Sequence, residues 1–359
     1  MADQGILTPG QQIKPKLDEK KAIELVTRLY GFKVKEISEL NAYDDKNYHV
    51  VCEDSYENHH VAKLHEHGYV LKIINSLDSR NIGFIEAQNE MMLFLRQREI
   101  RCTVPVKNLQ GSFSAVENIP TGSNVGYVVR LLEYQPGSTL RSVPITKTLL
   151  RDVGQFVARL GATLSNFSHP AIEKRSFLWM LAAVPKLRDY MYALNNEEDR
   201  KMIAEVVKQF ETQVFPVVEK LEHGIIHGDL NEQNLLVNAE GTRVIAVIDF
   251  GDSHRACTVF DLAIAACYMI IQTRDMFAAK YVIEGFQSVK KLINIEKSIM
   301  KICVCARLSQ SLTLGAYSYM QDPQNEYLLV TQKPGWEMVK KLWPMSDEDV
   351  MKIWGLENS

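Results

Sequence analysis

His227-Gly228-Asp229-Leu230-Asn231-Glu232-Gln233-Asn234, followed after one predicted hairpin by Ile248-Asp249-Phe250-Gly251, is the stretch on which the reading of this chain turns. Its aspartate and asparagine stand five residues apart. Phosphoryl transfer asks little covalent chemistry of a protein. It asks that an acceptor hydroxyl be oriented, its proton received and the phosphate charge held by metal. Asp229 is the candidate catalytic base. Asn234 offers a neutral amide oxygen, a ligand suited to a hard cation such as Mg2+. The apolar strand 243–248 delivers Asp249 at its end, where a carboxylate can reach the Mg2+ that the β- and γ-phosphates share. Gly228 lets the chain turn tightly before Asp229. Either half alone is explained as well by a turn and a strand-end cap; both together, in order and joined by one hairpin, are not. His227 reads as a residue that packs and holds the loop. Asp261 reads as structural, near the N-terminus of the next helix.

Upstream the period is mostly that of strands. Residues 1–16 show no apolar period and are read as a loose tail. Ala22, Leu25, Val26, Leu29 and Tyr30 recur at helical spacing, with Gly31 as a C-cap. Strands are predicted over 33–40, 48–52, 69–74 and 127–132, and one helix over 86–98. Beyond Ile145 helices dominate, at 146–167, 201–221, 260–273 and 295–319. They are interrupted by the hairpin 234–237 and 243–249, whose turn is Asn238-Ala239-Glu240-Gly241. Gln135-Pro136-Gly137 sits at the change of pattern. The domains read as an N-lobe over 17–134 that binds nucleotide and a helical C-lobe over 135–359 that holds catalytic and substrate groups. With the motifs, this predicts an α+β, two-lobe protein-kinase-like fold: a small antiparallel-sheet lobe with one helix, then a large, mainly helical lobe.

The nucleotide side is read from position along the chain. Lys72 lies in Tyr69-Val70-Leu71-Lys72-Ile73, on a strand ahead of a helix and the catalytic loop, as a lysine contacting the α- and β-phosphates does. Its expected partner is a carboxylate from the helix. Glu86 and Glu90 share a face one turn apart, and Glu86 is preferred. No Gly-x-Gly-x-x-Gly loop is present. In its place stands Tyr43-Asp44-Asp45-Lys46-Asn47-Tyr48, where backbone N–H groups and Asn47 could cradle phosphates. Backbone groups of Leu132-Glu133-Tyr134 would face the purine, so Glu133 and Tyr134 are nucleotide candidates.

Composition sets limits on partners. The chain has 359 residues, 46% hydrophobic and 24% charged, with a formal net charge of −3, so nothing calls for nucleic acid or an anionic membrane. The longest apolar run, 262–271, is too short to span a bilayer, and the N-terminus lacks the pattern of a secretory signal. The six cysteines form no Cys-x-x-Cys pair and read as reduced thiols of a cytoplasmic protein. His59, His60, His65 and His67 cluster before a strand without ligand spacing, and read as a polar connection rather than a metal site.

His-Gly-Asp-Leu-Asn-x-x-Asn with Ile-Asp-Phe-Gly-Asp resembles the aminoglycoside phosphotransferase and choline kinase superfamily, kinase-like enzymes of small hydroxylated molecules. Residues 43–50, Val129-Arg130-Leu131-Leu132-x-Tyr134-x-Pro136-Gly137 and Ala316-Tyr317-Ser318 extend the likeness toward members that act on hydroxylysine. The resemblance implies Mg2+-dependent transfer from GTP (or ATP) to the 5-hydroxyl of 5-hydroxy-L-lysine, in lysine breakdown. It assigns roles to Lys72, Asp229, Asn234 and Asp249. The glycine-poor phosphate loop departs from the aminoglycoside enzymes. Choline, homoserine or an aminoglycoside remain alternative acceptors, and a nucleotide-binding scaffold without activity is the reading from another class. A substrate with two ammonium groups and a carboxylate needs acids and a base. Asp252 and Glu232 are the candidate ammonium partners. Arg307, inside an apolar helical stretch, would clamp the carboxylate or else pair internally with Glu284 or Asp261.

Overall fold

The computed structural model describes residues 10–119, 126–325 and 329–357. The chain divides into two compact units, Gln11–Pro136 and the part from Gly137 onward. The first contains α1 (Glu19–Tyr30), β1 (Phe32–Leu40), β2 (Lys46–Tyr56), β3 (Tyr69–Ile73), α2 (Ile82–Gln97), β4 (Ala115–Asn118) and β5 (Gly126–Glu133). The strands form one antiparallel sheet in the order β1-β2-β3-β5-β4. Strand side chains alternate between faces, and this sheet divides its residues cleanly. Tyr48, Val50, Tyr69, Leu71, Ile73, Val129 and Leu131 pack with Ala22, Leu25, Val26 and Tyr30 of α1. Asn47, Lys72 and Arg130 are out of phase with them and stand directly opposite one another across β2, β3 and β5. They form a polar row on the sheet's other face. Gly31, in the left-handed region at φ 67°, ends α1 as its spacing predicts.

The expectation of a loose tail needs correction after Gly10. Ile13 is buried, its carbonyl accepts from Ser76 N at 3.0 Å, and Lys14 Nζ donates to Ala42 O at 3.0 Å. The rest of that segment, 1–9, lies outside the described residues.

The second unit contains β6 (Ser138–Thr139), α3 (Lys147–Leu164), α4 (Pro170–Glu173), α5 (Glu197–Gln213), β7 (His223–Ile226), β8 (Leu235–Val237), β9 (Val244–Val247), β10 (His254–Cys257) and α6 (Val259–Thr273). It closes with α7 (Ala278–Gln287), α8 (Asn294–Gln321), α9 (Gln332–Leu342) and α10 (Asp347–Trp354). The apolar run 262–271 is the centre of α6, whose residues 259–271 are all buried, packed against α3, α7 and α8. A helix hydrophobic on every side belongs in a core. Among the described residues no helix is long and apolar enough to cross a membrane. The helix predicted over 201–221 proves to be two pieces. α5 ends at Gln213, and a short 3-10 helix follows at Phe215–Lys220, because Pro216 has no N–H to continue the ladder. β8 and β9 form the predicted hairpin, and β10 pairs with β7.

Candidate active site

The catalytic loop leaves β7 at His227, and two backbone donors fix it at once. His227 N and Gly228 N each donate to one carboxylate oxygen of Asp261 at 2.8 Å. Asp261, in the first turn of α6, thus holds the loop, a role its sequence position did not reveal. His227 Nε2 lies 3.1 Å from Ile248 O, its ring packs on Phe250, and Nδ1 accepts from Asp229 N at 3.3 Å. The imidazole therefore ties the catalytic loop to the segment that carries Asp249, as its reading as a holding residue implies.

Gly228 has φ +83°, and a Cβ there would lie 2.3 Å from Asp252 O. Both conformation and space exclude a side chain. Gly228→Ala is expected to cost at least the roughly 1–2 kcal/mol of a left-handed Cβ and to lower kcat by displacing Asp229. Denaturant melts and turnover measured together test this; a variant equal to the parent in both would show the loop to be looser than drawn.

Asp229 is held on both oxygens. Oδ1 accepts from Arg307 at 2.8 Å. Oδ2 accepts from Asn231 Nδ2 and Asn234 Nδ2, each at 2.8 Å. Asn234 Nδ2 also donates to Asp229 O at 2.9 Å. With its nitrogen between two acceptors, the orientation of the Asn234 amide is forced, and its oxygen is the atom left for a cation. Asp249, just beyond β9, is exposed with φ 59°, and its Oδ1 accepts from Gly251 N at 3.2 Å. A non-glycine residue in that region is rare and often marks function. Among the described residues no three His, Cys, Asp or Glu side chains converge as a metal cage. One amide oxygen and one exposed carboxylate still fit Mg2+, which keeps waters and substrate phosphates as its other ligands.

Arg307 pairs internally, the second of its two expected roles, but with Asp229. It is 1% exposed; NH1 donates to Trp179 O at 3.0 Å and NH2 to Asp229. The guanidinium lies 5.1 Å from the Trp179 ring centroid and 5.5 Å from that of Tyr268. Its internal partner is Asp229, not Glu284, which pairs with Arg151, nor Asp261, which holds the loop amides. Both terminal nitrogens are engaged, while the buried Nε has no hydrogen-bond partner. Burial works against its charge, but Tyr268, Asp229 and Asp252 outweigh that.

Two further acids flank Asp229. Glu232 is 4% exposed, and its Oε2 has no hydrogen-bond partner. Burial raises its pKa. Asp252, half-buried, is raised by burial and by the charge of Asp229. Arg175, which sequence spacing did not single out, donates to the carbonyls of Gly251 and Ser253 and so pins the segment after Asp249. His254 Nδ1 donates to Asp252 O at 2.7 Å, and burial pushes that imidazole down to about 3.

On the nucleotide side, Lys72 is buried and its Nζ lies 3.1 Å from Asp45 Oδ2. The preferred helix partner is corrected: Glu86 is exposed and makes no ion pair among the described residues. The buried face of α2 carries Gln88 and Asn89 instead, and these accept from Arg130 at 2.6 and 3.0 Å. Asn47 stands beside Lys72 with a buried, unpartnered Oδ1. Glu133 N and Tyr134 N donate to Val104 O and Gly68 O at 2.8 and 3.0 Å. These two N–H groups are thus engaged within the chain. The Glu133 carboxylate meets Arg96, and the Tyr134 ring stacks near His49. Among the clustered histidines, His59 and His60 stack together, and His65 lies 3.2 Å from Gly68 O.

A carboxylate and an amide fixed five residues apart on one loop, with a second carboxylate at a strand end, are the groups that phosphoryl transfer uses. Residues 50–291 match the phosphotransferase enzyme family. The chain belongs to that family, on the branch that holds the hydroxylysine kinases, and is a kinase with an alcohol group as acceptor. It is 37% identical to the hydroxylysine kinase of Xenopus laevis over 95% of this chain and 94% of that one. It is 34% identical to the hydroxylysine kinase of Bos taurus over 96% and 95%. Among solved structures, amicoumacin kinase in complex with AMP-PNP and Ca2+ shares the fold, with a TM-score of 0.65 at 17% identity over 93% of this chain and 97% of that one.

Proposed function

We propose that the enzyme transfers the γ-phosphate of GTP to the 5-hydroxyl of 5-hydroxy-L-lysine, giving 5-phosphooxy-L-lysine, in the breakdown of lysine in the cytoplasm. The observation that carries the chemistry is Asp229, held on one oxygen by Arg307 and on the other by Asn231 and Asn234. A carboxylate so fixed can orient a hydroxyl and take its proton as the oxygen attacks phosphorus. The identity of the acceptor is supported by the similarity to hydroxylysine kinases over nearly the whole chain.

Lys72 and Asn47 would meet the phosphates. Asn234 and Asp249 would hold Mg2+, which when bound neutralises charge on the β- and γ-phosphates. Glu232 and Asp252 would receive the ammonium groups. Burial raises the pKa of both, and a cation beside a carboxyl favours its charged form, so an ammonium would offset the cost of their burial. Arg307 takes no part in binding the substrate carboxylate and instead positions Asp229.

A nucleotide-consumption screen with hydroxylysine, homoserine, choline and kanamycin, each with ATP and with GTP, tests the proposal. Hydroxylysine with GTP is expected to give the highest kcat/KM. Turnover of choline without response to hydroxylysine would replace the substrate. Nucleotide binding without turnover of any of the four would favour an inactive scaffold.

A further inference from the structure

Between α4 and the 3-10 helix Leu181–Asp189 the chain is irregular, and three consecutive carbonyls of this segment are taken by two side chains of α8. Gln310 Nε2 donates to Leu178 O at 3.2 Å and to Met180 O at 2.8 Å. Between these two, Trp179 O accepts from Arg307 NH1 at 3.0 Å. Gln310 is fully buried and stands one turn beyond Arg307 on the same face of the helix. Buried backbone outside a ladder needs partners from elsewhere, and here α8 supplies them. With its nitrogen between two acceptors, the orientation of the Gln310 amide is forced.

The other end of the segment is tied as well. Arg175 donates to the carbonyls of Gly251 and Ser253, and its guanidinium lies over the Phe177 ring. The Phe177 and His254 rings pack edge to face. Residues 175–180 are thus anchored at one end on the segment after Asp249 and at the other on α8, so Trp179 O has little freedom to follow a moving arginine. A guanidinium is a planar fork whose donors keep fixed directions. NH1 on Trp179 O therefore decides where NH2 points, and NH2 meets Asp229 Oδ1 at 2.8 Å.

We infer that Gln310 is a positioning residue for phosphoryl transfer. By gripping the carbonyls on either side of Trp179 O, it places the acceptor that aims Arg307, and Arg307 holds Asp229. The inference rests on the reading of Asp229 as the group that takes the hydroxyl proton. Gln310 acts through backbone and a guanidinium, so its loss shows in the chemical step and not in the binding of nucleotide or acceptor. A small displacement of a catalytic group is enough to cost a large part of the rate.

The test is Gln310→Met in the full-length enzyme, alone and combined with Arg307→Met, with kcat, both KM values and thermal stability measured on each protein. The acceptor is whichever of hydroxylysine, homoserine, choline and kanamycin the parent turns over fastest, so the identity of the substrate does not bear on the outcome. Methionine keeps the length and volume of glutamine but donates nothing. Gln310→Met is expected to lower kcat roughly tenfold, with both KM values within about twofold of the parent's. In the Arg307→Met background it is expected to change kcat by less than about twofold, since the two residues act along one path. If Asp229→Asn turns over near the parent's rate, or the parent turns over none of the four acceptors, the reading of Asp229 fails, and the inference with it. If Asp229→Asn is impaired but Arg307→Met or Gln310→Met keeps its kcat, the inference alone is overturned. Equal fold losses from Gln310→Met in the two backgrounds, or lower stability with unchanged kinetics, would mark a structural role and overturn it. A raised KM for the acceptor with kcat kept would place Gln310 at the substrate, with the same result. Should Gln310→Met fail to fold, Gln310→Asn, which donates but is too short to hold both carbonyls, is expected to give a smaller loss of kcat with the same KM values; a kcat equal to the parent's there would count against the inference.

Discussion

Asp229→Asn is expected to lower kcat by roughly 10²–10⁴-fold, the range a general base contributes, while leaving GTP affinity close to that of the parent. The substitution is nearly isosteric, so its effects divide by chemistry. The amide oxygen can still accept from Arg307, but no group remains to take the hydroxyl proton. The new Nδ2 would face Asn231 Nδ2 and Asn234 Nδ2, both donors now bonded to Asp229 Oδ2 at 2.8 Å. Three donors facing one another will turn at least one amide, and Asn234 is the one whose oxygen is wanted for metal. A second consequence is stability. Arg307 is 1% exposed and would lose its carboxylate; removing one partner of a buried pair costs about 3–5 kcal/mol. Single-turnover kinetics, equilibrium GTP binding and a denaturant melt on one preparation separate these effects. Turnover within a fewfold of the parent would mean that another group takes the proton.

What was legible in the sequence was whatever depends on local spacing. Asp229 and Asn234 are joined by a loop of their own making, and hydrogen bonds within it bring their side chains together. The alternation that placed Lys72 on a strand and the hairpin before Asp249 are equally local. Partners from distant segments were not legible. Arg307 was singled out as a charge in an apolar stretch, but its partner lies 78 residues away, and spacing along α8 could not choose between Asp229, Asp261 and Glu284. The partner of Lys72 was sought on α2 because helices of this kind carry it. Lys72 also meets Asp45 at 3.1 Å, a residue of the β1–β2 turn that no spacing along α2 could indicate. Trp179 escaped notice because its part is played by a backbone carbonyl and a ring face, neither of which leaves a pattern in a single sequence.

Arg307→Met is expected to reduce kcat by more than tenfold with the KM for hydroxylysine nearly unchanged, and this separates a residue that acts through Asp229 from one that binds substrate. A carboxylate clamp would give the opposite division, a raised KM with kcat largely kept. The geometry favours the first. The guanidinium is held between two aromatic rings and a carbonyl, so it presents one fixed donor to Asp229 Oδ1. Methionine fills much of the same volume without charge. It leaves Asp229 fixed by the two asparagines alone and free to rotate about the bond that Arg307 now fixes. Arg307→Lys keeps the charge but cannot reach Trp179 O and Asp229 together, since an ammonium is a point donor and not a fork. It is therefore expected to recover only part of kcat. Stability gives an independent check. Arg307→Met leaves Asp229 with a half-buried, uncompensated charge, so it is expected to lower stability. Adding Asp229→Asn should cost less than the separate losses combined, because residues in direct contact are not additive. Additive losses, or a KM for hydroxylysine raised tenfold with kcat intact, would return Arg307 to the substrate.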